Sequence, residues 1–233
     1  MKYGVIGAME EEVEILASQM NDTTITKKGG CVFYDGQLNG HEVVLMQSGI
    51  GKVNAAIGTT LLIDMYSPGI VINTGVAGGF DPEMTIGDLV VSTHVSYNDV
   101  DATVFGYTFG QVPGMPNVYP ANTDLVEHAN AAAFQSGANA RNGLVLSGDS
   151  FMSDEQRIAD LRVEFPEAKC SEMEAGAIAQ VCYRFQTSFV IIRALSDIVG
   201  KDALASYERF LEKAANQSAQ VVRAFLDATS AHR

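Results

Sequence analysis

Short apolar runs alternate along this chain with longer stretches of helical periodicity, and this alternation constrains the fold most. Gly69–Asn73 (GIVIN) and Phe189–Leu195 (FVIIRAL) are almost continuously apolar and rich in β-branched residues. Such runs are typical of strands buried on both faces, as in a sheet between two layers of helices. The element order therefore predicts an α/β protein with three layers, α/β/α. Further strands are predicted at Tyr3–Ile6, Cys31–Leu38, His41–Gln47, Asp88–Ser92, Arg141–Leu146 and Lys169–Met173, and helices at Glu10–Met20, Lys52–Tyr66, Thr123–Phe134, Ser153–Pro166, Glu174–Phe185 and Ser206–Thr229.

A hairpin signal makes the predicted central sheet mixed rather than wholly parallel. Asn39-Gly40 separates two strand-like runs, and this dipeptide favours a tight turn between antiparallel strands. Residues 106–120 are rich in Gly and Pro but carry three aromatic residues, which indicates an ordered loop rather than a linker. With a length of 233 residues and no linker, we expect a single domain over residues 1–233.

Charge and cysteine content exclude several classes of protein. The formal net charge is −13, which argues against binding to nucleic acid or to an anionic membrane, because phosphate groups need Lys or Arg to neutralise them. No apolar run reaches the length of a membrane span. The first residues do not resemble a signal peptide, and the three cysteines form no C-x-x-C pair. We therefore expect a cytoplasmic protein with buried, free thiols.

Familiar motifs for nucleotides, metals and nucleophilic serine are incomplete here. Gly49-Ile50-Gly51 lacks the third glycine of a dinucleotide-binding loop, and Val53 stands where a phosphate-binding loop needs Ser or Thr. His41-Glu42 is not followed by the second His of a zinc helix. Gly148-Asp149-Ser150 is similar to an esterase motif, but no His has the setting of a general base. Metal and Ser-His chemistry are therefore poorly supported.

Acidic residues follow three of the predicted strands. Four acids lie at residues 10–14, Glu172 and Glu174 flank Met173, and Asp197 follows the strand Phe189–Leu195. Each has an ordinary explanation, since acids stabilise helix N-termini and Asp is common in turns. Together they are more informative, because ligands collect beyond the carboxyl ends of strands in such folds. Periodicity alone does not choose the functional acid among residues 10–14.

A glycine-rich segment at residues 73–79 (NTGVAGG) follows one of the buried strands. Glycines in a loop permit close approach of the backbone to a ligand and leave N–H groups free to donate hydrogen bonds. No Lys or Arg occurs between Lys52 and Arg141, which weakens a phosphate-binding interpretation. A neutral ligand such as a sugar fits this segment better.

Seven sequence blocks resemble those of one known family over essentially the whole chain. They are GVIGAMEEEVEIL, QSGIGKVNAA, INTGVAGGFDP, FGYTFGQVPG, LVLSGDSF, SEMEAGAIAQVC and IIRALSDI. In order and spacing they are similar to the 5′-methylthioadenosine/S-adenosylhomocysteine nucleosidases of the purine nucleoside phosphorylase superfamily. The resemblance implies a nucleoside phosphorylase-like fold, a homodimer, no cofactor or metal, and hydrolysis of an adenine N-glycosidic bond.

The resemblance also implies a role for each matching residue. Glu12 corresponds to the acid that activates water, and Asp197 to the acid that protonates N7 of adenine. Glu174 and the Met173 backbone match the groups that hold the ribose hydroxyls, while Arg193 matches a residue that helps to place the water. The remaining matches are Phe151 stacking on adenine, Met152 contacting the base through its backbone, Met9, Ile50 and Gly78 on the ribose side, Tyr207 near the 5′-alkylthio group, and Phe105, Tyr107 and Pro113 on a loop that covers the partner subunit's site.

Two positions depart from the family pattern, and three alternatives remain open. Val76 stands where the family usually has a serine near the water and the sugar, and Val199 where a smaller Ala is common; we expect both to affect rate and substrate preference. The alternatives are a phosphate-dependent purine nucleoside phosphorylase, a futalosine-type nucleosidase, and a non-catalytic adenosine-binding protein. The acid at Glu12 favours water over phosphate, because a carboxylate repels an anionic nucleophile.

Overall fold

Ten strands between Tyr3 and Ile198 form one mixed sheet in the computed structural model, which describes residues 1–200 and 202–230. The strands are β1 (Tyr3–Gly7), β2 (Asn21–Lys28), β3 (Cys31–Leu38), β4 (His41–Gln47), β5 (Ile70–Gly79), β6 (Leu89–Tyr97), β7 (Tyr119–Pro120), β8 (Ala140–Ser147), β9 (Ala168–Glu172) and β10 (Ser188–Ile198). The helices are α1 (Glu10–Ala17), α2 (Lys52–Tyr66), α3 (Thr123–Gln135), α4 (Glu155–Glu164), α5 (Ala175–Phe185) and α6 (Ala203–Ser230), with a 3₁₀ turn at Thr103–Phe105.

The strand order is β10-β6-β8-β9-β5-β1-β4-β3-β2, and β7 pairs with β6. Because β10 also pairs with β5, the five strands β5, β10, β6, β8 and β9 close on themselves. β1 is parallel to β4 and β5, whereas β2, β3 and β4 are antiparallel. The predicted mixed sheet is confirmed, and so is the turn between β3 and β4, where Asn39 and Gly40 have φ values of 49° and 78°.

Both faces of the central strands are buried under helices, which confirms the three layers. Val5 and Ile72 pack on one face against α1, α3 and α6, in a cluster that includes Phe225. Their neighbours Ile6 and Val71 point to the other face, where α2 and α5 cover them. Successive side chains of a strand alternate between faces, so a strand that is apolar at every position requires helices on both sides.

The sequence suggested a loop for the glycine-rich segment, but in the structure this segment is the second half of β5. Its pairing with β10 continues as far as Gly79, opposite Ile198, and Gly78 also pairs with Ser171 of β9. The prediction was wrong because glycine is a poor strand former and weakens the pattern. Here the small residues are needed because other side chains occupy the space beside the strand.

Other boundaries differ where the signal was weak. β10 extends through Asp197, past a bulge between Leu195 and Asp197, so this acid lies within a strand rather than after it. α1 ends at Ala17, and the edge strand β2 (Asn21–Lys28) went unpredicted because its residues are polar and mostly exposed. The N-caps of α3 and α4 are Asn122 and Asp154, and the side chain of each accepts a hydrogen bond from a backbone N–H.

Two smaller expectations concern thiols and membranes. Cys31, Cys170 and Cys182 are all free and buried, as predicted. Within the described residues, no helix combines the length and apolar character that crossing a membrane requires.

Candidate active site

A cavity opens at the carboxyl ends of β1, β5, β9 and β10, where the acidic residues were expected to converge. The structure brings most of the predicted site residues to its walls. These are Met9, Glu12, Ile50, Val76, Gly78, Phe151, Met152, Met173, Glu174, Asp197 and Tyr207.

Four predicted site residues lie elsewhere. Arg193 is fully buried behind the cavity wall. Phe105, Tyr107 and Pro113 belong to the segment between β6 and β7 and are not among the described residues that line the cavity. The lining residues for which sequence reasoning gave no role are Ala8, Ala77, Ser150, Ser171, Glu172 and Ser196.

Burial identifies Glu12 among the four acids of α1. Its side chain is 2% exposed, whereas Glu10, Glu11 and Glu14 are on the surface. Three backbone N–H groups donate to its carboxylate, from Ala8 at 2.6 Å, Met9 at 3.1 Å and Val76 at 3.0 Å. Both carboxylate oxygens therefore accept hydrogen bonds from backbone donors at the cavity wall.

Arg193 of β10 supplies the positive charge behind this wall. Its Nη1 lies 3.6 Å from Glu12 Oε1, and its Nη2 donates to Asn73 Oδ1 at 2.7 Å. The same Nη2 contacts Glu172 and lies 3.3 Å from Glu174 Oε2. A buried guanidinium is tolerated because its fork of donors meets several acceptors at once.

Glu174 is the N-cap of α5 and turns its side chain towards α2. Its Oε1 accepts the N–H of Gly51 at 2.9 Å, which holds the carboxylate at the wall of the cavity. Burial raises the pKa of Glu174 to about 8, and the neighbouring charge of Glu172 adds to this effect. Two buried carboxylates so close together cannot both ionise easily.

Asp197 has a different environment at the other end of the cavity. It is 3% exposed, and Ser196 Oγ donates to its Oδ1 at 2.8 Å. Burial raises the pKa of Asp197, an effect that the hydrogen bond from Ser196 only partly opposes. A raised pKa favours the protonated form, which can donate a proton to a ligand.

The glycines of β5 make room for these acidic side chains. Gly75 pairs with Arg193 and has φ +147°, and a Cβ atom there would collide with Glu12 Oε1 and Arg193 Nη1. Gly78 pairs with Asp197, and a Cβ atom there would lie 2.9 Å from Asp197 Oδ2. These glycines are three residue steps apart along the strand, an offset of about 10 Å. Gly75 and Gly78 thus leave room beside β5 for Glu12 and Asp197, which both line the cavity.

An apolar wall closes one side of the cavity. The Tyr207 hydroxyl lies 3.3 Å from Met9 Sδ, and the rings of Tyr207 and Phe151 meet edge to face with centroids 5.7 Å apart. α6 thereby contributes to a site otherwise built from strand ends. Aromatic and thioether groups of this kind suit a flat base and an apolar substituent.

Comparison with known proteins agrees with this geometry. Residues 2–227 match the family model of the phosphorylase superfamily. A curated relative from Halalkalibacterium halodurans, named 5′-methylthioadenosine/S-adenosylhomocysteine nucleosidase, is 55% identical over 97% of both chains.

Solved structures give the same result. The nucleosidase of that name from Colwellia psychrerythraea, in complex with adenine, superposes with a TM-score of 0.95 at 47% identity and covers 97% of this chain and 95% of its own. A futalosine hydrolase from Helicobacter pylori superposes with a TM-score of 0.93 at 30% identity, with 98% of each chain covered. The chain therefore belongs to the phosphorylase superfamily and, within it, to the 5′-methylthioadenosine/S-adenosylhomocysteine nucleosidases.

Proposed function

We propose that this protein hydrolyses the N-glycosidic bond of 5′-methylthioadenosine and S-adenosylhomocysteine, releasing adenine and the 5-substituted ribose. The observation that carries the proposal is the pair of acids at opposite ends of one cavity. Glu12 is surrounded by donors, and Asp197 has a pKa raised by burial. The homologous nucleosidases support the same reaction.

The two acids divide the work of breaking the bond. Asp197 donates its proton to N7 of adenine, so that the base leaves with the electron pair of the bond between N9 and the anomeric carbon. Positive charge develops on the ribose ring, as in glycoside hydrolysis. Glu12 takes a proton from the water molecule whose oxygen bonds to the anomeric carbon. Glu174 accepts hydrogen bonds from the ribose hydroxyls, and these bonds strengthen as the ring becomes positive.

Other residues bind and orient the nucleoside. Phe151 stacks on the base, Met152 and Met173 contact the substrate through their backbones, and Arg193 fixes Glu12 towards the water. The sugar and its 5′ substituent are met by Met9, Ile50, Val76, Gly78 and Tyr207, which all line the cavity.

Water is favoured over phosphate as the nucleophile. No Lys, Arg or His is found among the described residues that line the cavity, and the nearby Arg193 is already occupied by three carboxylates. A phosphate ion would have to approach Glu12 without a compensating cation, which is electrostatically unfavourable.

The substrate panel that tests this function contains methylthioadenosine, S-adenosylhomocysteine, 5′-deoxyadenosine and futalosine, each with and without phosphate. We expect adenine release from the adenosine derivatives at the same rate in both conditions. Strict dependence on phosphate would indicate a phosphorylase, faster turnover of futalosine would indicate the related hydrolase, and binding without turnover would indicate a storage protein.

A homodimer is part of the proposal. Phe105 and Val104 are 79% and 85% exposed, and Val53 and Phe185 expose further apolar surface on α2 and α5. Such surface is typical of an interface. In the dimer, Phe105, Tyr107 and Pro113 cover the 5′ group in the partner subunit's site. Sedimentation of wild type and of Phe105→Ser tests the association, and KM for methylthioadenosine tests the covering.

The setting of the enzyme is also inferred. The three free, buried thiols support a reducing compartment, and we assign the protein to the cytoplasm, where it would return adenine and the thiosugar to methionine salvage. The continuous sheet supports one nucleosidase domain over residues 1–233, of which residues 201 and 231–233 lie outside the described part of the chain.

A further inference from the structure

Glu172 is a buried acid at the cavity that the proposed mechanism leaves without a role. It ends β9, and its side chain is 3% exposed. Glu172 Oε2 accepts the N–H groups of Glu174 at 3.0 Å and Ala175 at 2.9 Å, while Oε1 accepts that of Ala175 at 3.0 Å. The carboxylate therefore caps the first turn of α5, the helix that begins directly after Glu174.

The same carboxylate also holds Arg193. The Nη2 group of Arg193 donates to Glu172 Oε2 and lies 3.3 Å from Glu174 Oε2, while Nη1 lies 3.6 Å from Glu12 Oε1. Glu172 is thus bonded both to the backbone that carries Glu174 and to the cation that contacts Glu12. Protein donors already use both of its oxygens, so its charge serves the protein rather than a ligand.

We propose that Glu172 is a positioning residue, which fixes Arg193 and the start of α5 and so sets the placement of Glu12 relative to Glu174. This inference rests on the proposed nucleosidase function. Arg193 contacts Glu172 at the end of β9 on one side and Glu174 at the start of α5 on the other. These two contacts fix the direction in which the guanidinium points. Catalytic groups depend strongly on such placement, since a shift of about 1 Å can cost about 10²-fold in rate.

Glu12, Glu172 and Glu174 all pair with Arg193, and this competition explains why the site benefits from the charge of Glu172. Without the charge of Glu172, the guanidinium would pair more closely with Glu174, whose carboxylate is needed free for the ribose hydroxyls. Glu172→Gln tests this idea directly, because glutamine keeps an oxygen for the backbone N–H groups of α5 but loses the charge that holds Arg193. Asp81→Asn is the matched control: Asp81 accepts the N–H of Glu83 at 2.9 Å and pairs with Lys169 at 2.6 Å, away from the lining residues.

The experiment is a double-mutant cycle on kcat/KM for methylthioadenosine, with Glu172→Gln, Arg193→Lys and the double variant. We expect each single change to lower kcat/KM by about 10- to 100-fold. The kcat/KM of the double variant should lie within about threefold of that of the less active single variant. Asp81→Asn should stay within about threefold of wild type. A merely structural role for Glu172 would make the two losses multiply, because they would then be independent.

Three outcomes would overturn the inference: multiplying losses, wild-type activity in Glu172→Gln, or an equal loss in Asp81→Asn. If Glu172→Gln does not fold, Glu172→Asp takes its place, since it keeps the charge but shortens the reach. A wild-type enzyme that releases no adenine would instead refute the proposed function. In that case a crystal structure of the variant still decides, because an unmoved Arg193 would refute the positioning role.

Discussion

The two ends of the cavity hold the same chemical group in opposite surroundings. Glu12 accepts three backbone N–H groups and lies near Arg193, all of which stabilise negative charge. Asp197 accepts one hydroxyl, and burial raises its pKa. We therefore propose that environment, rather than residue type, assigns the base to one end and the acid to the other.

Strand β5 lies beside both acids, and a substitution that fills the space it leaves for them should have the largest effect on activity. Gly75→Ala would push a methyl group into Glu12 and Arg193, at a positive φ that L residues rarely adopt. We expect kcat/KM to fall by more than about 10⁴-fold, as when several catalytic groups are lost together. Overpacking should also lower the free energy of unfolding by about 1–3 kcal/mol. Adenine release and urea denaturation measure the two effects.

Gly137→Ala is the control for backbone strain alone. Gly137 also has a positive φ of +68°, but no atom lies within 4 Å of the position of its Cβ. We expect a loss of about 1 kcal/mol in stability, with kcat/KM nearly unchanged. Equal activity losses in the two variants would mean that strain in the backbone, and not the collision with Glu12, explains the effect.

The acid end can be tested separately through its pH dependence. In the proposed mechanism Asp197 acts in its protonated form, so we expect wild-type activity to decline as pH rises through its raised pKa. Asp197→Asn should lower kcat by about 10²- to 10⁴-fold and remove this alkaline decline, because asparagine does not titrate. The measurement is kcat against pH for both proteins.

The corresponding test of Glu12 is the variant Glu12→Gln. It should reduce kcat to a similar extent, since an amide cannot take a proton from water, but it should keep the alkaline decline that belongs to Asp197. If Asp197→Asn still shows the decline, or Glu12→Gln loses it, the two acids have been assigned to the wrong ends.

The sequence predicted the layers of this fold better than the details of its site. Buried strands such as Phe189–Leu195 carry a local signal, because burial on both faces makes nearly every position apolar. The choice of Glu12 over its three neighbours came from the family resemblance and not from periodicity. In the structure Glu12 is distinguished from these neighbours by hydrogen bonds from the N–H groups of Ala8, Met9 and Val76, the last of which is 64 residues away in the chain.

The remaining misses share this long-range origin. Glu172 was recognised as an acid at a strand end, but its partner Arg193 lies 21 residues further along, inside an apolar run. The glycines of β5 were interpreted as a ligand loop because their actual neighbours, Glu12 and Asp197, come from distant segments. Local patterns describe what a residue favours, whereas a site depends on what the fold brings beside it.

Between the two ends lies Glu174, whose effect should appear in stability. Its pKa is raised from 4.5 to about 8, so across this interval the native state holds a proton that the unfolded state has lost. The free energy of unfolding should therefore fall as pH rises from about 4.5 to 8, by at most about 1.4 kcal/mol per pH unit for one proton. Glu174→Gln should make this fall shallower, as measured by urea denaturation at several pH values; an unchanged slope would show that Glu174 is ionised throughout.

The smallest expected effect concerns Val76, which stands at the base end where the family resemblance places serine. Its N–H already donates to Glu12, so a substitution changes only the side chain that faces the cavity. A serine hydroxyl there could hydrogen-bond the attacking water, and a net gain of about 1 kcal/mol corresponds to roughly a fivefold rise in kcat for Val76→Ser. Val76→Ala, with similar loss of volume but no hydroxyl, is the control. A rise in kcat for Val76→Ser alone would show that the wild-type site lacks one hydrogen-bonding partner for the water near Glu12. Equal kcat values in the two variants would show that the Val76 side chain has only a packing role.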